Sequence, residues 1–161
     1  MPRTIVWASD GSENADRALQ SAKALLAGDG VTVIAVHIVG AGDHRASRPV
    51  DPETHDVVPG LHTVLSDLSH QGINAALRVV EDVGLHPAQA IADIAREVGA
   101  DVIVIGTRGH SPVAGVIVGS VTQRLLHVAP CPVLAVPPLD HRAIGPLSAE
   151  GARPPDPAPS A

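Results

Sequence analysis

The strongest constraint on the fold is an alternation along the chain of short apolar segments, rich in Val and Ile, with amphipathic segments. The apolar segments are predicted strands at Ile5–Ala8, Val31–Val39, Ile73–Val83, Asp101–Gly106 and Pro132–Pro137. Near-continuous apolar runs are typical of strands that are covered on both faces. Strands separated by helices are joined by right-handed crossovers into a parallel sheet. The sequence therefore predicts an α/β fold, an open parallel five-stranded sheet with helices on both faces.

Each intervening segment carries helical spacing and end signals. The third is the clearest, because Pro87 suits the first helical position and Gly99 suits the position after the C-cap. The other predicted ends are Ser12 as N-cap and Gly28 or Gly30 as stop for the first helix, Pro59 and Gly72 for the second, and Ser120 and Pro130 for the fourth.

Two segments fall outside this alternation. Residues 40–58 are dominated by Gly, Asp, Arg, Pro and His without a sustained period, which predicts a surface loop. Residues 139–161 are rich in Pro and Ala, and burial of so few apolar groups cannot offset the entropy of ordering them. We therefore predict one domain over residues 1–138, followed by a disordered tail.

Composition excludes several function classes. The chain has no Phe or Tyr and one Trp, which argues against modules that stack single-stranded bases on aromatic rings. Its net charge of −6 without a Lys/Arg run predicts no binding to duplex nucleic acid or to a membrane surface. No apolar run is long enough for a membrane span, and the N-terminus lacks the pattern of a signal peptide. With a single cysteine, Cys131, these features predict a cytoplasmic protein.

Two predicted strands end in residues that suit a nucleotide. The first is followed by Ser9-Asp10-Gly11-Ser12, and the fourth by Gly106-Thr107-Arg108-Gly109 and then Gly119-Ser120 at a helix start. Glycines allow backbone to approach an anion, and a helix N-terminus offers N–H donors. The Ser120 hydroxyl adds a donor, and a carboxylate such as Asp10 suits ribose hydroxyls. Arg108 is a further candidate for phosphate contact, with a solvent-facing position as the alternative.

These residues resemble the universal stress protein family. Gly106, Gly109, Gly119 and Ser120 match its G-2x-G-9x-G-(S/T) signature for ATP binding. Ser9 to Ser12 resembles the family's first loop, Val36 to Val39 the end of its second strand, and Ala129 to Leu134 its entry into the last strand. The resemblance implies a Rossmann-like sheet of the HUP type with strand order 3-2-1-4-5, which places the first and fourth strands side by side.

The resemblance also implies a role for each position. Asp10, with Ser9 in the same first loop, is expected to contact the ribose or adenine side, and Ile38 to line the adenine pocket. Gly106 and Gly109 are expected to pass near ribose and phosphate, and Gly119 and Ser120 to hold the phosphates. The implied cofactor is ATP, alone or with Mg²⁺, and no catalytic or metal-ligating residue is assigned.

Each of these assignments has a simpler alternative. The glycine-rich segment could be an ordinary connection between a strand and a helix, Asp10 could cap the first helix, and Ile38 could be a core residue. His44, His55 and His62 lie among acidic residues but lack metal-site spacing, which favours a solvated loop. Cys131 lies between two prolines and is interpreted as a small buried apolar residue.

Three functions follow from this interpretation. The first is an ATP-binding regulatory stress protein with little or no turnover, forming a homodimer through the last strand, Pro132–Pro137, as the resemblance implies. The second is a slow ATPase or another adenine-nucleotide enzyme on the same fold. The third is an interaction scaffold that no longer binds nucleotide, against which the intact glycines argue.

Overall fold

A computed structural model of the chain describes residues 3–25, 30–39, 57–81, 86–107 and 118–138. Strands and helices alternate through these residues as the sequence predicts. The strands are β1 (Arg3–Ala8), β2 (Val31–Val39), β3 (Asn74–Glu81), β4 (Val102–Gly106) and β5 (Val133–Val136). The helices are α1 (Glu13–Leu25), α2 (Val57–His70), α3 (Pro87–Glu97) and α4 (Ser120–Val128).

The five strands form one parallel sheet in the order β3-β2-β1-β4-β5. Strand β1 is central, and its Ala8 pairs with Val36 of β2 on one side and with Ile105 of β4 on the other. Both the predicted fold class and the strand order implied by the resemblance are confirmed. The reversal of strand order lies between β1 and β4, where ligands bind in open α/β sheets.

The helices cover the two faces of the sheet in pairs. Helices α1 and α2 pack on one face around the fully buried Trp7, and α3 and α4 pack on the other around Ile103 and Leu125. Because side chains alternate between the faces of a strand, successive residues of β1 contribute to opposite cores. The one tryptophan is the largest fully buried side chain, and its Nε1–H donates to the Ala15 carbonyl of α1 at 2.8 Å.

The second helix begins earlier than the sequence predicts. Helix α2 starts at Val57, so Val58 is helical although both residues were expected in the loop, and Pro59 lies third in the helix. Proline is tolerated there because the first four N–H groups of a helix have no acceptor within the helix. Residues 40–56, the rest of the predicted loop, and the predicted tail from residue 139 lie outside the described residues.

Helix α3 ends as predicted. Its C-cap is Val98, and the following Gly99 has φ of +61°, a left-handed conformation that residues with a Cβ adopt at a cost. The side chain of His86 caps the other end by accepting a hydrogen bond from the Ala88 N–H at 3.2 Å. Within the described ranges, no helix is long and apolar enough to cross a membrane.

Two adjacent leucines of α4 test the assignment of the core. Leu125 is fully buried against the face covered by α3 and α4, whereas Leu126 is 56% exposed. We expect Leu125→Ala to lower the free energy of unfolding by about 2–5 kcal/mol through lost burial and a residual cavity. Leu126→Ala should change it by less than about 0.5 kcal/mol. Urea denaturation of both variants measures the difference, and equal losses would contradict this placement of α4.

Candidate functional site

The carboxyl ends of β1 and β4 lie side by side, and we call the space beyond them the crevice, since ligands bind at this point in open parallel sheets. Chain direction is the cause, because all five strands are parallel and the two neighbours end at the same edge of the sheet. Beyond this edge, β1 continues into α1 on one face of the sheet. Strand β4 leads toward α4 on the other face. The two helices therefore lie on opposite faces, and the described polar residues singled out in the sequence flank the space between their N-termini.

The loop after β1 is tied into a compact turn, which we call the first loop (Ser9 to Ser12). Asp10 Oδ1 accepts hydrogen bonds from the N–H and the hydroxyl of Ser12, at 3.0 and 2.6 Å. The Ser12 Oγ in turn accepts a hydrogen bond from the Ala15 N–H at 3.3 Å, as an N-cap does. Ser12 is therefore the N-cap of α1, as predicted. Asp10 contributes to the cap indirectly, through its hydrogen bonds with Ser12.

Gly11 allows the first loop to turn. Its φ is +79°, in the left-handed region that favours glycine. A Cβ at this position would lie 2.8 Å from Cγ1 of Val57, the first residue of α2. Backbone conformation and close packing therefore both require glycine, and the first loop is held against the start of α2.

The loop after β4 begins with Gly106 and Thr107. The Gly106 carbonyl accepts a hydrogen bond from the buried Thr122 hydroxyl of α4 at 3.1 Å. The Thr107 carbonyl accepts one from the N–H of Gly119, the N-cap residue of α4, at 2.7 Å. A Cβ at Gly119 would lie 3.3 Å from that carbonyl, which is a tight contact. These bonds place the N-terminus of α4, with the exposed Ser120 as its first residue, directly beside the end of β4.

Thr107 carries a buried hydroxyl that the sequence analysis did not single out. The residue is 7% exposed, and its Oγ1 has no hydrogen-bond partner among the described residues. Its N–H continues the ladder to the Val136 carbonyl at 2.8 Å, and it follows Ile103 and Ile105 at even steps. Its side chain therefore lies on the same face of the sheet as α4. The only feature of the sequence that could have identified Thr107 is its position, since it places a hydroxyl immediately after the glycine that ends β4.

The end of β2 contributes two side chains on opposite faces. Ile38 packs in part against the core under α3 and α4, which is consistent with the core alternative for this residue. His37 lies on the other side, and its Nδ1 is 2.9 Å from the carbonyl oxygen of Ser9. Nothing in the sequence marks His37 for this contact, because a bond from its ring to backbone just beyond a neighbouring strand has no local signature.

Six of the eight predicted site residues are described. The structure brings Ser9 and Asp10 together at the end of β1, and Gly106, Gly119 and Ser120 together between β4 and α4, with Ile38 at the end of β2. Arg108 and Gly109 lie outside the described residues. The described part of the site therefore consists of the first loop, the end of β2 and the two ends of the glycine-rich segment.

Acidic groups cluster on the α1 side of the crevice. Partial burial raises the pKa of Asp16 above its usual value, and the negative charges of Asp10 and Glu13 raise it further. Far from the crevice, burial raises the pKa of the Cys131 thiol, as does the negative charge of Asp101. A thiol with a raised pKa is a poor nucleophile. Cys131 packs against the core under α3 and α4 but is only partly buried, whereas the sequence predicts a buried residue.

No group of three or more His, Cys, Asp or Glu side chains that could hold a metal ion occurs in the described ranges. Of the histidines near acidic residues, His62 is exposed on α2, and His44 and His55 lie outside those ranges. The donors of the crevice are N–H groups and hydroxyls, which suit an anion. A Mg²⁺ ion here would take its oxygen ligands mainly from the phosphates of a nucleotide and from water.

Comparisons with known proteins show which family and fold this chain resembles. Residues 1–137 match the family model described as the universal stress protein family. A universal stress protein of Synechocystis is 34% identical over 141 residues, 85% of this chain and 87% of its own. The universal stress protein of Archaeoglobus fulgidus in complex with dAMP has a TM-score of 0.60 and 27% identity, covering 84% of this chain and 98% of its own. A universal stress protein in complex with cAMP has a TM-score of 0.53 and 27% identity, covering 83% and 96%.

Substitutions at two glycines separate backbone strain from packing in the first loop. Gly11 and Gly72 both have φ of +79°, but a Cβ at Gly72 has nothing within 4 Å. We expect Gly72→Ala to lower the free energy of unfolding by about 1–2 kcal/mol, the cost of a left-handed alanine. Gly11→Ala should lower it by about 1–3 kcal/mol more, because the methyl group meets Val57.

Thermal or urea denaturation gives both values, and the variant Gly11→Ala with Val57→Ala tests the cause. This second change removes the side chain that a Cβ at position 11 would meet. The effects of the two substitutions should be less than additive, since neighbouring residues that share one contact are coupled. If Gly11→Ala and Gly72→Ala lower the free energy of unfolding equally, the contact with Val57 does not contribute to the cost at Gly11.

Proposed function

The chain belongs to the universal stress protein family, and we propose that it is an ATP-binding regulatory member of that family. The nucleotide lies in the crevice between β1 and β4. Its phosphates bind at the N-terminus of α4, and its ribose and adenine lie toward the first loop and the end of β2. The same crevice could accept other adenine nucleotides, so ATP is the specific part of this proposal.

One observation carries the proposal: a buried hydroxyl without a partner lies next to a helix N-terminus. Leaving a polar group buried and unpaired costs about 1–3 kcal/mol, so such a group calls for an explanation. Thr107 Oγ1 is such a group within the described part of the chain, and the N-cap of α4 makes no side-chain capping bond. A phosphate oxygen accepts hydrogen bonds from hydroxyls and helix N–H groups alike, so one anion satisfies both.

The predicted site residues take roles that suit their positions. Ser120 is exposed at the first position of α4, where its hydroxyl and N–H can donate to a phosphate. Gly106 and Gly119 keep the backbone near this anion free of side chains. Gly109 and Arg108 are proposed to complete the phosphate site, as in the family's signature.

Asp10 is proposed to bind the ribose side of the nucleotide while it holds the first loop. Its Oδ1 already accepts two hydrogen bonds from Ser12, so the carboxylate has a fixed orientation. A fixed carboxylate binds hydroxyls at a lower entropic cost than a mobile one. Ile38 is proposed to contact adenine with the part of its side chain that the core leaves uncovered.

The relatives support an adenine nucleotide as ligand. Two of the similar structures are complexes with dAMP and with cAMP, so members of this fold and family bind adenine nucleotides. Neither ligand is a triphosphate, and the choice of ATP rests on the complete glycine signature at Gly106, Gly109, Gly119 and Ser120. We propose little or no turnover, because no residue has been assigned as a general base for an attacking water.

Nucleotide binding is tested with two buried threonines, Thr107, whose hydroxyl has no hydrogen-bond partner among the described residues, and Thr122, whose hydroxyl is hydrogen-bonded. Thr107→Val removes the unpaired hydroxyl and keeps the shape, so the free energy of unfolding should stay the same or rise. Affinity for ATP should fall by about tenfold or more, as for a lost hydrogen bond to a charged group. Thr122→Val removes a buried hydrogen bond to the Gly106 carbonyl and should instead lower stability by about 1–3 kcal/mol.

Calorimetric titration with ATP, ADP, dAMP and cAMP measures affinity. Trp7 fluorescence gives a second signal, because the chain has one Trp and no Tyr. Wild-type affinity weaker than about millimolar for all four nucleotides would refute the proposed function. Unchanged ATP affinity in Thr107→Val would remove Thr107 from the site. Release of phosphate from ATP at a rate above background would favour the enzyme alternative.

We also propose that the protein forms a homodimer through β5, the edge strand that the sequence analysis predicted for this role. An apolar groove of about 250 Å³ lies against this strand, lined by Leu25, Val102, Pro132, Val133 and Leu134. Leu25 of α1 is 68% exposed beside it. An uncovered edge strand can pair with another chain, and a second copy would cover both the backbone edge and the groove.

A charge in the groove should separate the subunits. Leu25→Glu places a carboxylate in the apolar groove, so we expect a shift from dimer toward monomer in sedimentation equilibrium at micromolar concentration. Val79→Glu is the matched control, since Val79 is also exposed but lies on β3, at the opposite edge of the sheet from β5. It should leave the dimer intact. A wild-type protein that is monomeric at this concentration would refute the dimer proposal.

A further inference from the structure

His37 holds a carbonyl group at the point where β1 leaves the sheet. Strand β1 ends at Ala8, so the Ser9 carbonyl lies beyond the last residue of the strand. The Nδ1 of His37 is 2.9 Å from this oxygen. A carbonyl oxygen only accepts hydrogen bonds, so the proton of this bond lies on Nδ1. The imidazole thus supplies the donor where the regular ladder ends.

Strand β2 holds both backbone polar groups of Ser9. The Ser9 N–H donates to the Val36 carbonyl at 3.0 Å, and the Ser9 carbonyl accepts from the neighbouring His37. Ser9 itself is only 5% exposed, and hydrogen bonds at buried groups are costly to lose. The first residue of the first loop is therefore fixed to the sheet on both sides of its α-carbon.

This anchoring reaches Asp10 through a continuous series of hydrogen bonds. The Ser9 Oγ accepts a hydrogen bond from the Gly11 N–H at 3.2 Å, which closes the turn around Asp10. Asp10 then accepts the two hydrogen bonds from Ser12 that start α1. The peptide plane between Ser9 and Asp10 contains the carbonyl that His37 holds, so the ring sets the direction in which Asp10 leaves the sheet.

We propose that His37 is a positioning residue of the nucleotide site, acting through the Ser9 carbonyl on the orientation of Asp10. The inference rests on the proposed function, because its effect is measured on nucleotide affinity. His37 makes no contact with the nucleotide in this proposal. It lowers the entropy lost on binding by keeping the first loop in its bound orientation before the ligand arrives.

Two amides of different length test the position of the donor. In His37→Asn the side-chain N–H₂ can occupy the place of Nδ1, whereas in His37→Gln it lies one bond further out. We expect His37→Gln to weaken ATP binding by about three- to tenfold, the effect of one hydrogen bond, and His37→Asn to stay within about twofold of wild type. Equal losses in both variants, or no loss in His37→Gln, would overturn the proposal.

A double substitution tests the route. If His37 acts only through Asp10, then His37→Gln in an Asp10→Ala background should weaken ATP binding by no more than about twofold beyond Asp10→Ala alone. If the fold-losses in ATP affinity of the two single substitutions multiply in the double variant, His37 contacts the nucleotide itself or acts elsewhere. That result would overturn the proposed route. Thermal denaturation of each variant controls for a general loss of folding.

Amide hydrogen exchange in the nucleotide-free protein separates this inference from the proposed function. Opening of the turn exposes the N–H groups of Gly11 and Ser12, which are bonded inside it. His37→Gln should speed their exchange by about tenfold relative to wild type, and His37→Asn should not. If the wild type binds no nucleotide, the proposed function fails and so does the affinity role of His37. The exchange rates still decide whether His37 holds the first loop.

Discussion

The parallel pairing of β1 with β4 at the centre of the sheet is the constraint on which the rest of the structure depends. Strand β1 is buried on both faces, with Ile5, Val6 and Trp7 fully inaccessible, so helices must cover both sides. Because parallel neighbours end at the same edge, the chain leaves β1 and β4 at adjacent points. The helices that follow them lie on opposite faces, so their N-termini lie on either side of the sheet edge where the crevice is placed.

Three backbone carbonyls at the edge of this crevice are bonded by groups from elsewhere in the fold. The backbone carbonyls of Ser9, Gly106 and Thr107 each accept a hydrogen bond, from His37, Thr122 and Gly119 respectively. The Thr107 hydroxyl does not share in this arrangement, although it is buried beside the same groups. A fold that satisfies each neighbouring carbonyl and leaves one donor unpaired is typical of a site in which a ligand completes the bonding.

Local sequence predicted most of the elements but not all of their limits. The Ser12 cap of α1 and the Gly99 end of α3 follow local rules and lie where expected. The start of α2 was wrong by two residues, because Pro59 fits the first helical position by propensity but is tolerated anywhere in the first turn. In the candidate site, Ser9 and Asp10 lie at the end of β1, next to Gly106, Gly119 and Ser120 at the end of β4 and the start of α4. Ile38 lies on β2, Arg108 and Gly109 lie outside the described residues, and all contacts with a nucleotide remain predictions.

By itself, the sequence determined which segments are strands and helices, that the strands are parallel, and where glycines and hydroxyls lie along the chain. These properties depend on periodicity and on end signals, which act over a few residues. Only the tertiary structure decided that the Thr107 hydroxyl is buried without a partner among the described residues, that His37 reaches the carbonyl of Ser9, and that Val57 lies against Gly11. Each of these depends on segments far apart in the sequence that meet within a few ångströms, at a distance set by strand register in the sheet and by the packing of helices on it.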